Sequence, residues 1–397
     1  MKGPSPRRLQ KYVCGPLGLQ EYLRSPGDGR RQPQIPAPVL IWALLLGQLL
    51  RQFSFLAIEA LAGSPVGSAA GVHRGFGDDT LAYFTERLNP AHTRLALAAT
   101  LRKAKRNKAF DTSRFIGLVV DGTGAGRRRT GGCKFCRPIH KKNQEVVGYH
   151  HKVVMISVAG TGLSLPVDVE PYGPGDSEYA AAQRLLRRAV THLGARFADY
   201  VVGDGEFATA PFLHTAQELG LPVVARLKGN LPELFAAPQK RFHSHPPKLS
   251  FRYGQDRVEM WDADDFDPWE SLRWPTVRVF LYRQHQPNGA VVEAFWLTNL
   301  SPSKAGTRSL FHLAKSRWEI ENQGFNDAKN RYGMEPICHH HPNSLLTLWL
   351  LLALGLTIER LYRIRYLHRG DCPLRTAIEL LRILWFHLAV PDTADTS

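Results

Sequence analysis

The 397-residue sequence predicts an α/β fold: a mixed sheet with helices on both faces, a β-rich insertion, and helical N- and C-terminal regions. Apolar residues recur at helical spacing from Pro36 to Lys108. Short β-rich runs then alternate with helical stretches between residues 115 and 229, and strand-like runs return from Leu249 to Leu300. With 44% hydrophobic residues, the chain can bury a large core and form more than one domain.

The N-terminal helical pattern ends, in AHTRLALAATLRKAKRNK, with a cationic cluster. Its members are Arg102, Lys103, Lys105, Arg106 and Lys108. Positive charge at this position suits contact with phosphate groups. It equally suits a solvated helix end, where cations interact favourably with the helix dipole. The sequence leaves both interpretations open.

The charge balance predicts a phosphate-rich partner. Lys and Arg number 51 against 35 Asp and Glu, which gives a net charge of +16. Ribosome-associated and basic membrane-surface proteins share this balance. Five cysteines are too few for a secreted disulfide framework, and no apolar stretch follows the basic start of the chain. A reducing, cytoplasmic location is therefore expected.

Two apolar runs, Val39 to Leu50 and Leu345 to Ile358, resemble membrane spans in composition. Charged residues interrupt or end both, and each is shorter than the roughly 20 residues that a spanning helix needs. We therefore expect two buried core helices and no membrane partner.

The middle of the chain predicts the element order β, β, β, α, β, α, β. FIGLVV, HKVVMISVA and LSLPVDV form three successive strands, which we expect to be antiparallel neighbours. The helix SEYAAAQRLLRRAVTHLG, the strand DYVVGD, the helix ATAPFLHTAQELG and the strand PVVARLKG follow. A meander followed by crossover helices requires a mixed sheet covered by helices. This is the order of the RNase H fold.

Strand patterns return in LSFRYGQDRVEMW, TVRVFLYRQ and VVEAFWLTNL, and three helices are predicted after them, Ser309 to Arg331, Leu345 to Arg363 and Leu374 to Leu388. These limits predict five parts. They are a helical N-terminal domain (1–110), the first part of an RNase H-like core (111–240), a β-rich insertion (241–304), a helix that completes the core (305–335) and a helical C-terminal region (336–397).

Two aspartates directly follow apolar strands. Asp121 follows FIGLVV in FIGLVVDGTG, and Asp204 follows YVVG in DYVVGDGEF. If the predicted order holds, these strands are neighbours and both carboxylates lie at one edge of the sheet, where side chains point into a crevice. Two clustered acids need a compensating cation, and Mg²⁺ prefers oxygen ligands. A turn role for each aspartate is the alternative.

A third acid stands in SRWEIENQGFNDAKNRYG, where Glu321 lies next to Ile320 and near Trp318. A carboxylate beside apolar residues costs free energy unless it is paired or bound to metal. The alternative is a surface acid paired with Arg317 or Lys329. Three acids from two strands and a helix could hold two metal ions about 4 Å apart, an arrangement that suits in-line displacement at a phosphodiester.

These residues resemble the insertion-sequence transposases of the DDE type, whose catalytic domain is similar to RNase H and retroviral integrase. The resemblance covers Ile116 to Tyr332 and depends on VVDGTG, VVGDGEF and RWEIENQGF. The family's third motif contains Tyr, two residues, Arg, three residues, Glu, six residues and Lys. Arg317 and Glu321 keep this spacing, whereas Ala314 stands at the Tyr position and Lys329 falls one residue late.

The resemblance implies a DNA transposase that cuts at transposon ends and joins the freed 3′ hydroxyl to target DNA. It implies a site of Asp121, Asp204 and Glu321 with two Mg²⁺ (or Mn²⁺) ions, and a β-rich insertion like that of one large branch of the family. It also implies end recognition by the N-terminal domain, a homodimer or higher assembly on DNA, and a nucleoid-associated place in a prokaryotic cell. A catalytically inactive DNA-binding regulator and a structure-specific nuclease that cuts without joining are the alternatives. The presence of all three acids argues against the inactive regulator.

Cationic residues around the acids are the predicted DNA contacts. The segment GAGRRRTGGCKFCRPIHKK after Asp121 contains seven Lys and Arg residues and no acid, which suits a grip on DNA near the cut. A solvated loop is the alternative. The predicted DNA-binding residues are Arg127, Arg128, Arg129, Lys134, Arg137, Lys141, Lys142, Lys228, Arg317 and Lys329.

The same segment contains a C-x-x-C pair, Cys133 and Cys136, with His140 nearby, and Cys338 precedes three histidines far downstream. A structural zinc ion held by Cys133, Cys136, His140 and Cys338 is one hypothesis, since Cys and His are the usual ligands of structural zinc. Reduced thiols and loop histidines are the alternative, because the sequence has no second C-x-x-C and no regular His spacing.

Overall fold

The computed structural model describes residues 6–111, 113–229, 231–367 and 376–389. The N-terminal part is helical, as the apolar periodicity predicts. Its helices are α1 (Pro6–Cys14), α2 (Gln20–Arg24), α3 (Ala37–Leu50), α4 (Phe55–Ala62), α5 (Pro65–Ala69), α6 (Asp78–Arg87) and α7 (Pro90–Arg106). Side-chain oxygens of Ser54, Ser64 and Asn89 accept hydrogen bonds from the first turns of α4, α5 and α7, which fixes where these helices begin.

The central part combines strands and helices. Its strands are β1 (Gly117–Arg128), β2 (Arg137–His140), β3 (Val146–Ala159), β4 (Leu165–Tyr172), β5 (Tyr200–Gly203) and β6 (Val223–Leu227). Its helices are α8 (Glu178–Leu193), α9 (Ala210–Glu218) and α10 (Pro232–His243). The short strand β2 and the helix α10 are additions to the elements predicted from the sequence.

The remaining elements begin with four strands in the predicted β-rich stretch. These are β7 (Leu249–Tyr253), β8 (Asp256–Phe266), β9 (Val277–His285) and β10 (Val291–Thr298). They are followed by α11 (Thr307–Lys315), a π-helical turn (Ile320–Phe325), α12 (Asn326–Arg331), α13 (Pro342–Tyr362) and α14 (Ala377–Ala389). Leu374, the predicted start of the last helix, lies outside the described residues.

The described strands form one ten-stranded mixed sheet, in the order β2-β3-β1-β5-β6-β10-β9-β8-β7, with β4 paired to β3. The pairs β1–β3 and β3–β4 are antiparallel, as predicted. The strand β5 is parallel to β1, and β6 is parallel to β5. The strand β10 pairs with β6, so the β-rich stretch continues the same sheet. The predicted mixed sheet with flanking helices is confirmed.

Successive residues of the central strands face two different cores. Leu118 and Val120 belong to one core, which they share with α8, α9 and the N-terminal helices. Val119 belongs to the other, which includes residues of α11, α12 and the π-helical turn. The same alternation in β5 sends Val201 to the first core and Val202 to the second. Helices therefore cover both faces of the sheet.

The helix α13 packs against β4, α3, α6 and α7. By length and composition Pro342–Tyr366 could span a membrane, as could the bent pair α3 and α4, but 89% of the apolar window of Pro342–Tyr366 is buried inside the fold. At its start, Asn343 Nδ2 donates to the carbonyl oxygens of Thr85, Glu86 and Leu88, at 3.0, 3.0 and 2.7 Å. These carbonyls end α6 and would otherwise lack partners. The burial fits the predicted core helix.

Two residues of the cationic cluster at the end of α7 connect this helix to α8 and to the segment that follows α8. Arg102 Nη1 donates to the carbonyl of His192, near the end of α8, at 2.9 Å. Lys105 Nζ donates to the carbonyl of Phe197, just after α8, at 2.7 Å. Cations at this place satisfy carbonyl oxygens that the helix end leaves free. These two residues therefore have structural contacts that account for their charge.

The predicted helix Ser309 to Arg331 is interrupted in the structure. After α11, Ser316 Oγ donates to the Leu313 carbonyl at 2.7 Å, a bond that competes with the helical pattern. The π-helical turn follows, and its i→i+5 bonds hold one residue more than an α-helical turn. Its Gln323 carbonyl accepts a hydrogen bond from the buried Arg360 of α13. A neighbouring helix thus satisfies the irregular backbone.

Candidate active site

Asp121 lies in β1, and Asp204 directly follows the neighbouring parallel strand β5. The strands β1 and β5 pair in the register Val119↔Val202, and the backbone remains extended at Asp204. The pairing ends at Val119 and Val202, so each aspartate lies two residues beyond the last paired residue of its strand. Side chains alternate along a strand, so both point to the face of Val119 and Val202. This face is covered by the π-helical turn.

Backbone N–H groups fix one oxygen of each aspartate. Asp121 Oδ1 accepts from the N–H of Gly122, and Asp204 Oδ1 accepts from the N–H of Glu206, both at 2.8 Å. The second bond caps a short 3₁₀ turn directly after β5. The other oxygen, Oδ2, lies near a cation in each case. Lys228 Nζ is 3.8 Å from Asp204 Oδ2.

Arg317 connects Asp121 to Glu321. Its Nη1 donates to Glu321 Oε1 at 2.7 Å and lies 3.8 Å from Asp121 Oδ2. The Arg317 side chain is 12% exposed and stacks on the Trp318 ring, whereas that of Glu321 is 42% exposed. The i,i+4 pair proposed as the alternative for Glu321 therefore exists, and the same guanidinium also lies near Asp121. Asp121 lies within β1, which continues to Arg128 instead of ending before the aspartate as the sequence predicted. Acids from β1 and the π-helical turn thus both lie near one half-buried cation.

The electrostatic environment raises the pKa of Asp121 from 3.8 to about 7. Burial is the largest cause, and the negative charges of Asp204 and Glu321 act in the same direction. The N–H of Gly122 and the charge of Arg317 act in the opposite direction. Asp204 and Glu321 are therefore close enough to influence the ionisation of Asp121.

The donor set fits a hard divalent cation. Asp121, Asp204 and Glu321 offer carboxylate oxygens, the ligands that Mg²⁺ and Mn²⁺ prefer. A cation among them would relieve the repulsion that contributes to the raised pKa of Asp121. These three residues are the ones that could hold such ions.

Other acids near these elements have different partners. Glu319, two residues before Glu321, is turned to the other side and accepts from the N–H of Gly160 at 3.1 Å. Burial raises its pKa to about 7. Asp327 pairs with Arg360 at 2.7 Å. Of the acids in this helical segment, Glu321 is therefore the one that contacts the Asp121 region.

A comparison with models of protein families gives a match to the Transposase DDE domain over residues 113–358, more than half of the chain. The chain belongs to this family. It is a DDE transposase, and the resemblance that its acid motifs indicate is confirmed. The matched range runs from just before β1 into α13, so it contains Asp121, Asp204 and Glu321.

The transposase is also similar to a solved structure, a piggyBac transposase in a synaptic complex with hairpin DNA. The two share 13% sequence identity, and the similarity covers 98% of this chain and 83% of that one with a TM-score of 0.45. A search of curated proteins gave no match. The family assignment therefore depends on the domain match.

One acid of the transposase near Asp121 was missed in the sequence. Glu178, at the start of α8, packs against Gly122, and a Cβ at residue 122 would lie 2.2 Å from Glu178 Oε1. Tyr172 donates to Glu178 Oε2 at 2.7 Å. Only glycine fits at residue 122 without displacing this carboxylate. The small residue after Asp121 in VVDGTG was the available signal.

The predicted DNA-binding cations of the transposase occupy different environments. Arg127, Arg129, Lys134 and Lys142 are exposed, and Arg128 is half-buried. Lys141 is exposed and pairs with Glu145 at 3.2 Å. Arg137 instead points inward, where its Nη1 donates to the carbonyl of Gly173 at 2.8 Å and its guanidinium lies over the Tyr172 ring. Arg137 therefore stabilises the fold through these contacts.

Lys329 lies half-buried in α12 of the transposase. Its position, one residue later than the family motif has it, has a structural reason. The π-helical turn between Glu321 and Lys329 takes up one additional residue. The additional residue in this turn offsets the additional residue in the sequence, so Lys329 can lie on the helix face that the usual spacing gives.

A second set of donors lies near the C-terminal half of β1, where His151 of β3 is paired with Ala125. Among the described residues, one group of Cys, His and acidic donors converges within 4.8 Å. It consists of Cys133, Cys136, His151 and His340, and we call it the Cys/His cluster. Of the four zinc ligands predicted from the sequence, Cys133 and Cys136 belong to it.

The structure does not bring the other two predicted zinc ligands into this cluster. His140 is exposed, and its Nδ1 lies 3.0 Å from the carbonyl of Gln144 in a local turn. Cys338 packs against the core that includes the N-terminal helices and is absent from the cluster. Their places are taken by His151 of β3 and His340, which the antiparallel pairing of β3 and the return of the chain before α13 bring together. The spacing of Cys and His residues does not identify this pair, although the alternation of His151 with Val153 and Met155 is visible in the sequence.

Proposed function

We propose that this transposase cuts DNA at the ends of its element and joins the freed 3′ hydroxyl to target DNA. Asp121, Asp204 and Glu321 would hold the divalent metal ions. The observation that carries the proposal is the proximity of these acids, since the negative charges of Asp204 and Glu321 both act on Asp121. The β1–β5 register and the Arg317 contacts with Asp121 and Glu321 support it.

The metal chemistry follows from the donor set. When bound, a pair of Mg²⁺ or Mn²⁺ ions would activate the attacking oxygen and stabilise the leaving oxygen of an in-line displacement. Asp121 is held by the N–H of Gly122, and Asp204 by the N–H of Glu206, so each keeps Oδ2 for a ligand role. Deprotonation of Asp121 is the step that prepares this site, because burial favours its neutral form.

Arg317 would orient the third acid. It holds Glu321 by a 2.7 Å hydrogen bond and is itself fixed by stacking on Trp318. A bound guanidinium also reduces repulsion between Asp121 and Glu321 before metal binds. Arg317 is therefore proposed as a positioning residue, with a phosphate contact as its second role.

DNA would lie across the cationic surface next to the acids. Its proposed contacts are the exposed Arg127, Arg129, Lys134 and Lys142, together with Arg128, Lys141, Lys228 and Lys329. Most contacts of this kind are with phosphates, so they position DNA without reading its sequence. We propose that the helical N-terminal domain supplies end recognition and that the transposase works as a homodimer or higher assembly on DNA in a prokaryotic cytoplasm.

The test combines the purified chain, Mg²⁺ and a labelled DNA that carries the terminal repeats flanking its gene. Joined product is the expected result. Cut product without joining would replace the proposal by a structure-specific nuclease. Binding without cutting would replace it by an inactive DNA-binding regulator.

A further inference from the structure

We infer that the Cys/His cluster binds one zinc ion, which fastens the outer ends of β1 and β3 to the segment between α12 and α13. The cluster is separate from the carboxylates and offers soft sulfur and nitrogen donors instead of oxygens. The inference does not depend on the proposed function, because zinc binding is measured without DNA.

The distances within the cluster match a zinc tetrahedron. Zinc bonds of about 2.3 Å to sulfur and 2.0–2.1 Å to nitrogen give sulfur–sulfur edges of about 3.8 Å and sulfur–nitrogen edges of about 3.6 Å. The Sγ atoms of Cys133 and Cys136 are 3.7 Å apart. His151 Nε2 lies 3.4 Å from Cys133 Sγ and 3.6 Å from Cys136 Sγ, and His340 Nε2 lies 3.2 Å from Cys136 Sγ. One centre can therefore be bonded to all four.

Hydrogen bonds could form within the cluster only if sulfur accepts one of them. A thiol has one proton to donate, so Cys136 can donate to His151 or to His340, and the other histidine would have to donate its N–H to sulfur, a weak acceptor. All four donor atoms nevertheless lie within 4.8 Å of one another. Cys133 and Cys136 are free thiols, so no disulfide holds them together. A shared cation gives every donor atom a partner.

The donors are held on well-packed parts of the chain. His151 is 1% exposed, lies opposite Ala125 of β1 and packs edge-on against the Trp349 ring of α13, with ring centroids 6.1 Å apart. Cys136 is buried, and its N–H donates to the Cys133 carbonyl at 3.1 Å, which forms the turn that aims both thiols one way. Four protein ligands leave no open position, which is typical of structural zinc rather than catalytic zinc.

The ion would connect two functional parts of the chain. Cys133 and Cys136 follow the exposed cations Arg127 and Arg129, and His340 follows the helical segment that carries Glu321. A second contact already joins these parts, since Gly126, with φ of +65°, packs directly against Ile337. Zinc would hold the cationic segment at a fixed place relative to the carboxylates.

Zinc content of the full-length chain, purified without chelator and with reducing agent, tests the inference. We expect one zinc ion per chain, released when the thiols are blocked with a mercurial reagent. A zinc content near zero, after exposure to zinc and desalting, would overturn it. A disulfide between Cys133 and Cys136 in protein kept reduced would also overturn it.

Substitutions identify the ligands. Cys136→Ser and His340→Asn should lose the zinc, whereas Cys338→Ser and His140→Asn, at the ligand positions suggested by spacing, should keep it. The inference fails if Cys338→Ser loses zinc while Cys136→Ser retains it.

Cobalt provides a measurement on the unaltered chain if the Cys136→Ser protein does not fold. Replacing zinc by Co²⁺ should give the visible absorption of a tetrahedral ion and a thiolate-to-cobalt charge-transfer band. Absence of the charge-transfer band from a chain that has bound Co²⁺ would rule out Cys133 and Cys136 as ligands.

Discussion

The carboxylate site and the Cys/His cluster gather their donors in different ways. The four donors of the cluster lie within 4.8 Å of one another around a common centre. The carboxylates instead have a cation between them, since Arg317 reaches both Asp121 and Glu321. The cluster includes the buried His151, whereas Glu321 is exposed to solvent.

Charge explains the difference. Neutral thiols and imidazoles can pack together before a metal arrives, and burial lowers the pKa of His151 to about 4, which keeps its ring neutral. Ionised carboxylates repel one another, and their repulsion contributes to the pKa of about 7 at Asp121. A closed set of donors suits an ion that remains in place, whereas an open set leaves room for phosphate oxygens as further ligands.

Removing one carboxylate should have the largest effect. We expect Asp121→Asn, Asp204→Asn and Glu321→Gln each to lower DNA cleavage by roughly a thousandfold or more, the scale of losing a group that stabilises transition-state charge. DNA binding, measured in parallel by gel shift, should survive because the side-chain shape is kept.

Glu319→Gln is the matched control for these variants. Glu319 lies two residues from Glu321 and accepts a hydrogen bond from the N–H of Gly160. The amide oxygen of Gln can accept the same hydrogen bond. Near-normal cleavage by Glu321→Gln, or complete loss of cleavage in Glu319→Gln, would show that Glu321 is not the third acid of the site.

Removing zinc should lower stability without a direct effect on the carboxylates. A metal that binds only the folded chain stabilises it, so a chelator should lower the thermal midpoint of the transposase by several degrees. Adding Mg²⁺ should not restore the midpoint, whereas adding Zn²⁺ should. Cys136→Ser should unfold at the same temperature with and without chelator; a continued response would mean that the ion is held elsewhere.

Arg317→Ala should lower cleavage by about 10- to 100-fold, the range for losing a group that orients a metal ligand. The half-saturating Mg²⁺ concentration should rise, because Glu321 loses its 2.7 Å hydrogen bond. Arg317→Lys, which keeps the charge, should recover part of the rate. An unchanged Mg²⁺ dependence in Arg317→Ala would limit this residue to a DNA contact.

The pH dependence of metal binding has a defined sign. Asp121 has a pKa of about 7 in the folded chain against 3.8 ordinarily, so folding without metal takes up a proton between these pH values. The free energy of unfolding of the metal-free chain therefore falls as pH rises through this window. Metal must displace the same proton, so the half-saturating Mg²⁺ concentration should fall about tenfold between pH 6 and pH 8. A flat profile would separate Asp121 from metal binding.

Neutralising the exposed cations should have the smallest effect. We expect the double variant Arg127→Ala, Arg129→Ala to weaken DNA binding several-fold and to lower its salt dependence by about one unit for each phosphate that the protein no longer touches. Arg252→Ala is the control, because β7 lies at the opposite edge of the sheet from β2. Equal weakening in both proteins would indicate a general charge effect.

Periodic apolar patterns predicted the central sheet well, since residues of β1 and β5 must alternate or remain apolar to cover two cores. The neighbouring positions of Asp121 and Asp204 followed from the order of the elements. The third acid could be located because Arg317 and Glu321 keep a family spacing. Each of these inferences depended on local sequence or on topology.

Contacts between segments that are distant in the sequence were harder to predict. The proposed ligand role of His151 depends on its alternation with Val153 and Met155 toward the buried face of β3, a signal that the sequence does contain. The proposed ligand role of His340 depends on how the chain returns to the sheet before α13, which cannot be predicted from residue spacing. The π-helical turn was not predicted, although the late position of Lys329 fits it, and the bond of the turn to Arg360 required the packed structure.

Element-specific anomalous scattering from crystals of the transposase with DNA and Mn²⁺ tests the central claim most directly. The account predicts manganese density within bonding distance of Asp121, Asp204 and Glu321, and zinc density at the separate Cys/His cluster. Manganese bound to DNA in the crystal but out of reach of these three carboxylates would contradict it.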